Sequence, residues 1–288
     1  MTAVYKRELG AFFKGMPGYL FTAFMLIFTG VYVMVYNLSG YTARFEYALS
    51  AVSFVYLVAV PILTMRSMAE EKKQKTDQLL YALPLPLSKV VLGKYLATVT
   101  VLLIPCAVMA VYPLLFTLWG QVNVWTALGA LFAFFLLGAA LIAIGLFISS
   151  LTENQVASAV ITLVVMLLVY LMGSFDGYLS PMSRASMLSL AAALAGCGFL
   201  MYWLTKNWVV STLLTALSIG GLYWYYVAEP LVFYGLFAKV LSELSLFDRF
   251  YGFINGVFDL RSAVYYLSVA ALFVFLTVKA LEKRRWAE

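Results

Sequence analysis

The chain has 288 residues, of which 64% are hydrophobic and 11% charged, with a mean hydropathy of +0.96. An ordinary soluble domain is about 45–50% apolar and about 25% charged, so lipid must be the solvent for much of this surface. The net charge of +6 raises nucleic acid as a partner, but the placement of the charges argues against it; the absence of histidine removes the commonest zinc ligand and general base.

Residues 1–15 place Val4, Leu9, Phe12 and Phe13 among Lys6, Arg7, Glu8 and Lys14, a pattern suited to a helix lying in the membrane interface. These charges precede the first long apolar run and no small-residue cleavage site follows it, so no signal peptide is expected. A span needs about 20 apolar residues. Eight segments qualify, at 17–37, 47–65, 92–118, 126–149, 156–174, 186–204, 208–228 and 262–280. The third carries Pro105 and Pro113 and is expected to kink or tilt. Between the second and third, residues 65–83 repeat apolar positions at helical spacing (Met65, Met68, Ala69, Thr76, Leu79, Leu80, Leu83) until Pro84 and Pro86 stop them. In the fourth, Gly138 and Gly145 share a face, and Ala192 and Gly196 form a small pair in the sixth. Each predicts close helix packing or, as the sharper alternative, a dimer or conduit face. The sixth and seventh are separated only by Thr205, Lys206 and Asn207. Before the last span, in an outer amphipathic segment 229–261, the stripe Val232, Phe233, Leu236, Phe237, Val240, Leu241 and Leu244 predicts a helix over 231–245. The expected fold is thus an all-α integral membrane protein, a single domain over 1–288.

Basic residues collect on the cytoplasmic side of membrane proteins. With the N-terminus inside, only Arg44, Arg184, Lys239, Arg249 and Arg261 of the 19 fall outside. Both termini are then cytoplasmic, and the basic excess is a topology signal, with no nucleic-acid partner.

Catalytic chemistry is nearly absent. There is no Gly-rich phosphate loop and no paired-Cys motif; Cys106 and Cys197 each sit in apolar runs, where a thiol serves as a small hydrophobe. No metal ligands, cofactor-binding residues or catalytic residues are assigned. Glu46, Asp176 and Glu229 fall at the ends of spans, where water is expected to reach them. Aromatics at the outer ends (Tyr32, Tyr36, Tyr41, Tyr223, Trp224, Tyr225, Tyr226) fit interface anchors, with a substrate-contacting cluster as the sharper alternative.

The loop after the second span is the most informative stretch. Arg66, Ala69, Glu70, Glu71, Thr76, Leu79, Leu80, Pro84, Val91, Leu92, Gly93 and Lys94 match, residue by residue, a pattern typical of ABC-2 type permeases, which the chain resembles. Phe247-Asp248-Arg249-Phe250, Gly256 to Arg261, Tyr265-Tyr266-Leu267 and Arg284-Arg285-Trp286 resemble the gliding-motility-type branch. That family usually has six spans, so 186–228 is expected to be an inserted two-helix hairpin. The resemblance implies the membrane-spanning subunit of an ATP-driven exporter in a bacterial inner membrane. This chain would hold no cofactor. ATP and Mg would be bound by a separate ATPase, present in two copies beside a second permease subunit, identical or different. The coupling loop would be 66–90, with Arg66, Glu70, Glu71, Thr76, Leu79, Leu80, Leu83 and Pro84 as ATPase-coupling residues. Glu70 and Glu71 would serve either that contact or a lock onto the chain's own cations. Two other classes compete, an intramembrane lipid-modifying enzyme and a scaffold subunit that moves nothing.

Overall fold

The structure is a computed structural model that describes residues 1–40, 42–75, 86–118, 120–173, 182–205 and 208–285. Among these residues all regular structure is helical. The chain divides into two compact units, Met1–Val169 with Arg249–Glu288, and Tyr170–Asp248.

In the first unit the helices are α1 (Thr2–Lys14), α2 (Pro17–Val33, continued by a π-helical turn Met34–Leu38), α3 (Phe45–Ser53), α4 (Tyr56–Thr64), α5 (Ala69–Lys73), α6 (Leu87–Met109), α7 (Val111–Phe116), α8 (Val124–Leu151), α9 (Gln155–Leu171, whose last two residues fall in the second unit) and, at the end of the chain, a long helix Leu260–Arg285. α8 is apolar on every side, and such a helix belongs in an interior. It is buried over most of its length, with α3, α4, α6 and the last helix packed around it.

The two glycines singled out in the fourth span create that packing. A Cβ at Gly138 would stand 2.6 Å from Leu102 Cδ2 and 2.7 Å from Tyr56 Oη; one at Gly145 would stand 2.9 Å from Thr64 Cγ2. They admit α4 and α6 to the surface of α8 within this chain and do not form a dimer face. At the first of these contacts the Tyr56 ring stacks on Phe134 at 4.5 Å, and its hydroxyl donates to the Phe134 carbonyl at 3.1 Å. Tyr95 of α6 donates likewise to Ala139 O at 3.2 Å. Cys106 is buried and free.

All eight predicted segments contain helix. Among the described residues five stretches are long and apolar enough to cross a membrane alone: Pro17–Leu38, Leu87–Phe116, Val124–Leu151, Trp208–Ala228 and Leu260–Lys283. A sixth is counted if Phe45–Ser53 and Tyr56–Lys73, bent by 56° at Phe54–Val55, form one span. Gln155–Leu171 is shorter, at 17 residues, and Ser183–Thr205 is not among the qualifying stretches. The third segment breaks at Ala110 between α6 and α7, with Pro105 inside α6 and Pro113 inside α7. Proline lacks the N–H for the i−4 carbonyl, and the helix is interrupted between the two prolines while the stretch Leu87–Phe116 still counts as one span. The bend in the second segment has no such mark in the sequence; around it the backbone switches to i→i−3 bonds, Val55 N to Val52 O and Leu57 N to Phe54 O.

In the second unit α10 (Ser183–Thr205) and α11 (Trp208–Ala228) pair. They meet at Gly198, where a Cβ would collide with Thr215 and whose carbonyl accepts from Ser211 Oγ. Gly196 of the predicted small pair is not where the two helices meet: nothing lies within 4 Å of a Cβ placed on it among the described residues. The amphipathic helix expected over 231–245 begins later than its stripe suggests, as α12 (Leu236–Leu244). Gly235 at φ +67° sits in the left-handed region that glycine favours, so helix cannot extend back through it. Phe233 falls in the preceding turn, its ring 5.8 Å from Tyr225 and 5.4 Å from Tyr226. The chain returns to the first unit within a short helix, α13 (Leu246–Ile254), and ends there in the final helix, α14 (Leu260–Arg285). At the entry to α14, Asp259 accepts from Arg261 N at 3.0 Å and Ser262 Oγ at 2.9 Å. The Ser262 hydroxyl, with the Arg261 amide next, holds that carboxyl below the usual carboxylate range.

Candidate functional site

The polar groups of the first unit converge where the loop after α4 meets α1, α6 and the end of α8. α4 stops at Thr64, a turn follows over Met65–Met68, and α5 starts at Ala69. The first N–H groups of a helix have no partner within it, and Met68 supplies no side-chain cap. Ser149 of α8 takes that role across about 80 residues of sequence. Its Oγ accepts from Met68 N at 3.2 Å and Ala69 N at 3.1 Å, and donates to Met65 O at 3.3 Å. Next to it, buried Lys72 donates its ammonium to the Ser150 carbonyl. α5 is therefore stitched to the end of the central helix at two adjacent serines. Ser149→Ala removes an acceptor for two N–H groups, and a loss of about 1–2 kcal/mol is expected, read as a lowered melting temperature of the solubilised protein. Melting unchanged from the parent would show that the stitch contributes nothing.

α1 lies against α6. Val4 packs on Val90 and Gly93; a Cβ at Gly93 would stand 3.1 Å from Val4 Cβ. Tyr5 Oη meets Thr100 Oγ1 at 3.0 Å. Glu8 follows Val4 by one helical turn on the same face, and Lys94 follows Gly93, so the close contact brings these two charges together.

The result is a closed ring of four charges. Lys94, only 1% exposed, places its ammonium 3.1 Å from Glu8 Oε1, 2.9 Å from Glu71 Oε1 and 3.0 Å from Ser67 O. An ammonium has three donors and no acceptor, and all three are used. The same carboxylates also bind Arg7, at 2.7 Å to Glu8 and 2.8 Å to Glu71. The hydrogen bond that Arg7 donates to Glu8 is the largest influence on the guanidinium and pushes its pKa up. Two cations and two anions from α1, α5 and α6 thus neutralise one another. Burial of a charge is tolerated on such terms.

The sequence-predicted residues separate here. Glu71 faces inward into the ring. Glu70 faces outward and meets Arg66 at 3.5 Å, both partly exposed. A cleft of about 140 Å³ opens beside them, with Glu8, Phe12, Leu63, Arg66 and Glu70 among its lining. Thr76, Leu79, Leu80, Leu83 and Pro84 lie outside the described residues. Sequence reasoning missed Arg7, Glu8, Ser149 and Ser150 as site residues, and counted Lys94 as an end-of-span cation. The available signal was Lys94 itself, a charge embedded in an apolar run, where an ionisable group marks a function. Glu46 corrects a second expectation. It is 5% exposed and its Oε2 has no hydrogen-bond partner, so water does not reach it in this fold. Glu229 is exposed as expected, and Asp176 lies outside the described residues. Among the described residues there is no group of three or more Cys, Asp or Glu arranged to hold a metal ion.

The arrangement is mechanical in character: a short solvent-facing helix fixed at one side to the central helix and at the other, through paired charges, to α1 and α6. Residues 31–195, more than half of the chain, match the sequence model of a family described as ABC-2 family transporter protein. No curated protein and no solved structure matches the chain.

Proposed function

The chain belongs to the ABC-2 family of transporter proteins, and from that premise we propose that it is the permease subunit of an ATP-driven exporter, moved by a separate ATPase seated on residues 66–90. The observation that carries this reading is the fixation of α5. A partner that pushes on this segment displaces α8 through Ser149 and Ser150, and α1 and α6 through Glu71. ATP binding shifts the membrane subunit only if its two conformations contact the ATPase differently, and a segment bonded to the central helix satisfies that condition.

In this reading two ATPases, carrying ATP and Mg, serve this permease and a second one, the same or different. Both termini lie in the cytoplasm of a bacterial cell, and the hairpin α10–α11 is an addition to a six-span core. The C-terminal motifs from Phe247 to Trp286 support the gliding-motility-type branch.

The test is affinity purification of the full chain from its native membrane, followed by ATP hydrolysis and export in vesicles. An ATPase should co-purify, and hydrolysis should rise with the exported substrate. Recovery of an active chain that transports without any ATPase would overturn the reading. The outward-facing side chain predicts a separate result. Glu70→Arg places a cation beside Arg66 on the proposed seat, and should weaken ATPase capture by about ten-fold, in the range expected when a charge-assisted contact is lost, while the melting temperature stays unchanged. Capture at the parent level would place the seat elsewhere. Sidedness is tested by cysteine labelling: positions 6 and 73 should label from the inside and 239 from the outside. Outside labelling at 206 would leave the chain with six or seven spans.

A further inference from the structure

We propose that Lys94 is the positioning residue of the coupling segment: its one buried ammonium fixes α5 to α6 and to α1, so that the three move as a single lever. This rests on the reading of the chain as a permease driven by an ATPase, and adds to it a residue that the partner does not touch.

Three observations support it. First, the ring is closed. Arg7 joins Glu8 and Glu71 from one side and Lys94 joins them from the other, at 2.7–3.1 Å throughout. Of its two cations Arg7 is 56% exposed and Lys94 1%, so without Lys94 the two carboxylates keep only a partner that water can also hold. Second, Lys94 spends its third donor on Ser67 O, in the turn that joins α4 to α5. It therefore holds the start of α5 as well as its first helical turn. Third, α1 is brought into reach by contacts independent of charge: Val4 on Gly93, and Tyr5 on Thr100. α1 is thus a brace for the segment. A lysine at this depth with no such duty would be a net cost, since burying an ion pair rarely stabilises more than an apolar pair of the same shape.

Two variants separate positioning from simple stability. Lys94→Met keeps the length of the stem and removes the charge, leaving Arg7 alone with two carboxylates. Lys94→Met with Glu71→Gln leaves one Arg7–Glu8 pair, electrically neutral again. Spin labels at positions 6 and 73, both on exposed residues of α1 and α5, report the distance between the helices by pulsed resonance in the full chain, in lipid vesicles and without any partner. The parent should give one narrow distribution, and both variants a broad one. In the reconstituted complex with the ATPase that co-purifies, the neutral double variant should recover the parent's melting behaviour yet export about ten-fold less per ATP hydrolysed, the scale of one lost charge-assisted contact. Lys94→Arg, which keeps a cation and several donors, should restore part of the coupling.

A distance distribution in Lys94→Met as narrow as the parent's would overturn the inference, whatever the ATPase does. Recovery of full coupling together with stability in the double variant would also overturn it, reducing Lys94 to a structural ion. Failure of the parent chain to capture an ATPase would instead strike the reading above, and would leave the distance measurement standing as the test of the lever.

Discussion

Replacing Gly145 or Gly138 by valine should lower the stability of the helical core by about 1–3 kcal/mol each, as overpacking a close-packed interior does. The added Cβ at Gly138 falls 2.7 Å from Tyr56 Oη and 2.8 Å from Tyr56 Cζ. That ring cannot step aside, because it is stacked on Phe134 and its hydroxyl is bonded to the Phe134 carbonyl. At Gly145 the obstacle is nearer the backbone: Thr64 Cβ would be 3.0 Å away, and Thr64 Oγ1 is already committed to Val60 O at 2.9 Å. α4 must lift from α8 in either variant. The control is Gly196→Val, where nothing lies within 4 Å and the melting temperature should hold. Equal melting of the parent, Gly145→Val and Gly196→Val would mean that α4 does not seat on α8 as described. Because α5 hangs from the same helices, the core variants should also lose the Ser149 stitch.

How far the sequence reached can be followed at single residues. The helices were legible because apolar runs of about 20 residues have few other uses in so uncharged a chain, and the spacing of Gly138 and Gly145 showed that something approaches α8. It did not show what. The partners, Tyr56 and Thr64, lie more than 70 residues away, and periodicity carries no information at that range. The bend at Phe54–Val55 was hidden for a different reason: no Pro or Gly marks it, and Pro61 lies inside the following helix. Turn chemistry was legible where a residue imposes it, as at Gly235 for φ, yet the period of the stripe from Val232 was followed past that glycine. The site was half legible. The loop declared itself by charge and by family resemblance, but its two acidic neighbours read alike, since adjacent residues on so short a helix differ only in which side of it they occupy. Ser149 and Ser150 read as ordinary small residues at the end of a span, because a hydroxyl that caps a distant helix leaves no local trace.

The two glutamates should therefore differ sharply when each is removed. Glu71→Ala takes from buried Lys94 one of its two carboxylates and leaves a cation-rich ring of Arg7 and Lys94 against Glu8 alone. Removing one partner of a buried pair typically costs about 3–5 kcal/mol; Glu71 is 20% exposed, so water entering the vacated space offsets part of this, and about 2–3 kcal/mol is expected. Glu70→Ala removes the 3.5 Å contact between Arg66 and Glu70, whose side chains are 48% and 35% exposed, and an exposed 3.4 Å hydrogen bond from Gln74. Exposed pairs at this spacing contribute about 0.3–0.5 kcal/mol, so its melting temperature should match the parent within error. The measurement is thermal unfolding of each single variant in detergent or nanodiscs, with Glu71→Gln alongside, which keeps the shape and removes the charge. Glu71→Gln should fall close to Glu71→Ala, since the lost quantity is the charge facing Lys94. Salt separates the two sites further: added salt screens the exposed Arg66–Glu70 pair and acts less on the contacts of Lys94, which is 1% exposed, so most of the deficit of Glu71→Ala should persist at high salt. Two single variants that melt alike would show that Glu71 is as solvated as Glu70. The ring around Lys94 would then not be closed, and the tie between α5 and the spans would rest on the Ser149 and Ser150 contacts alone.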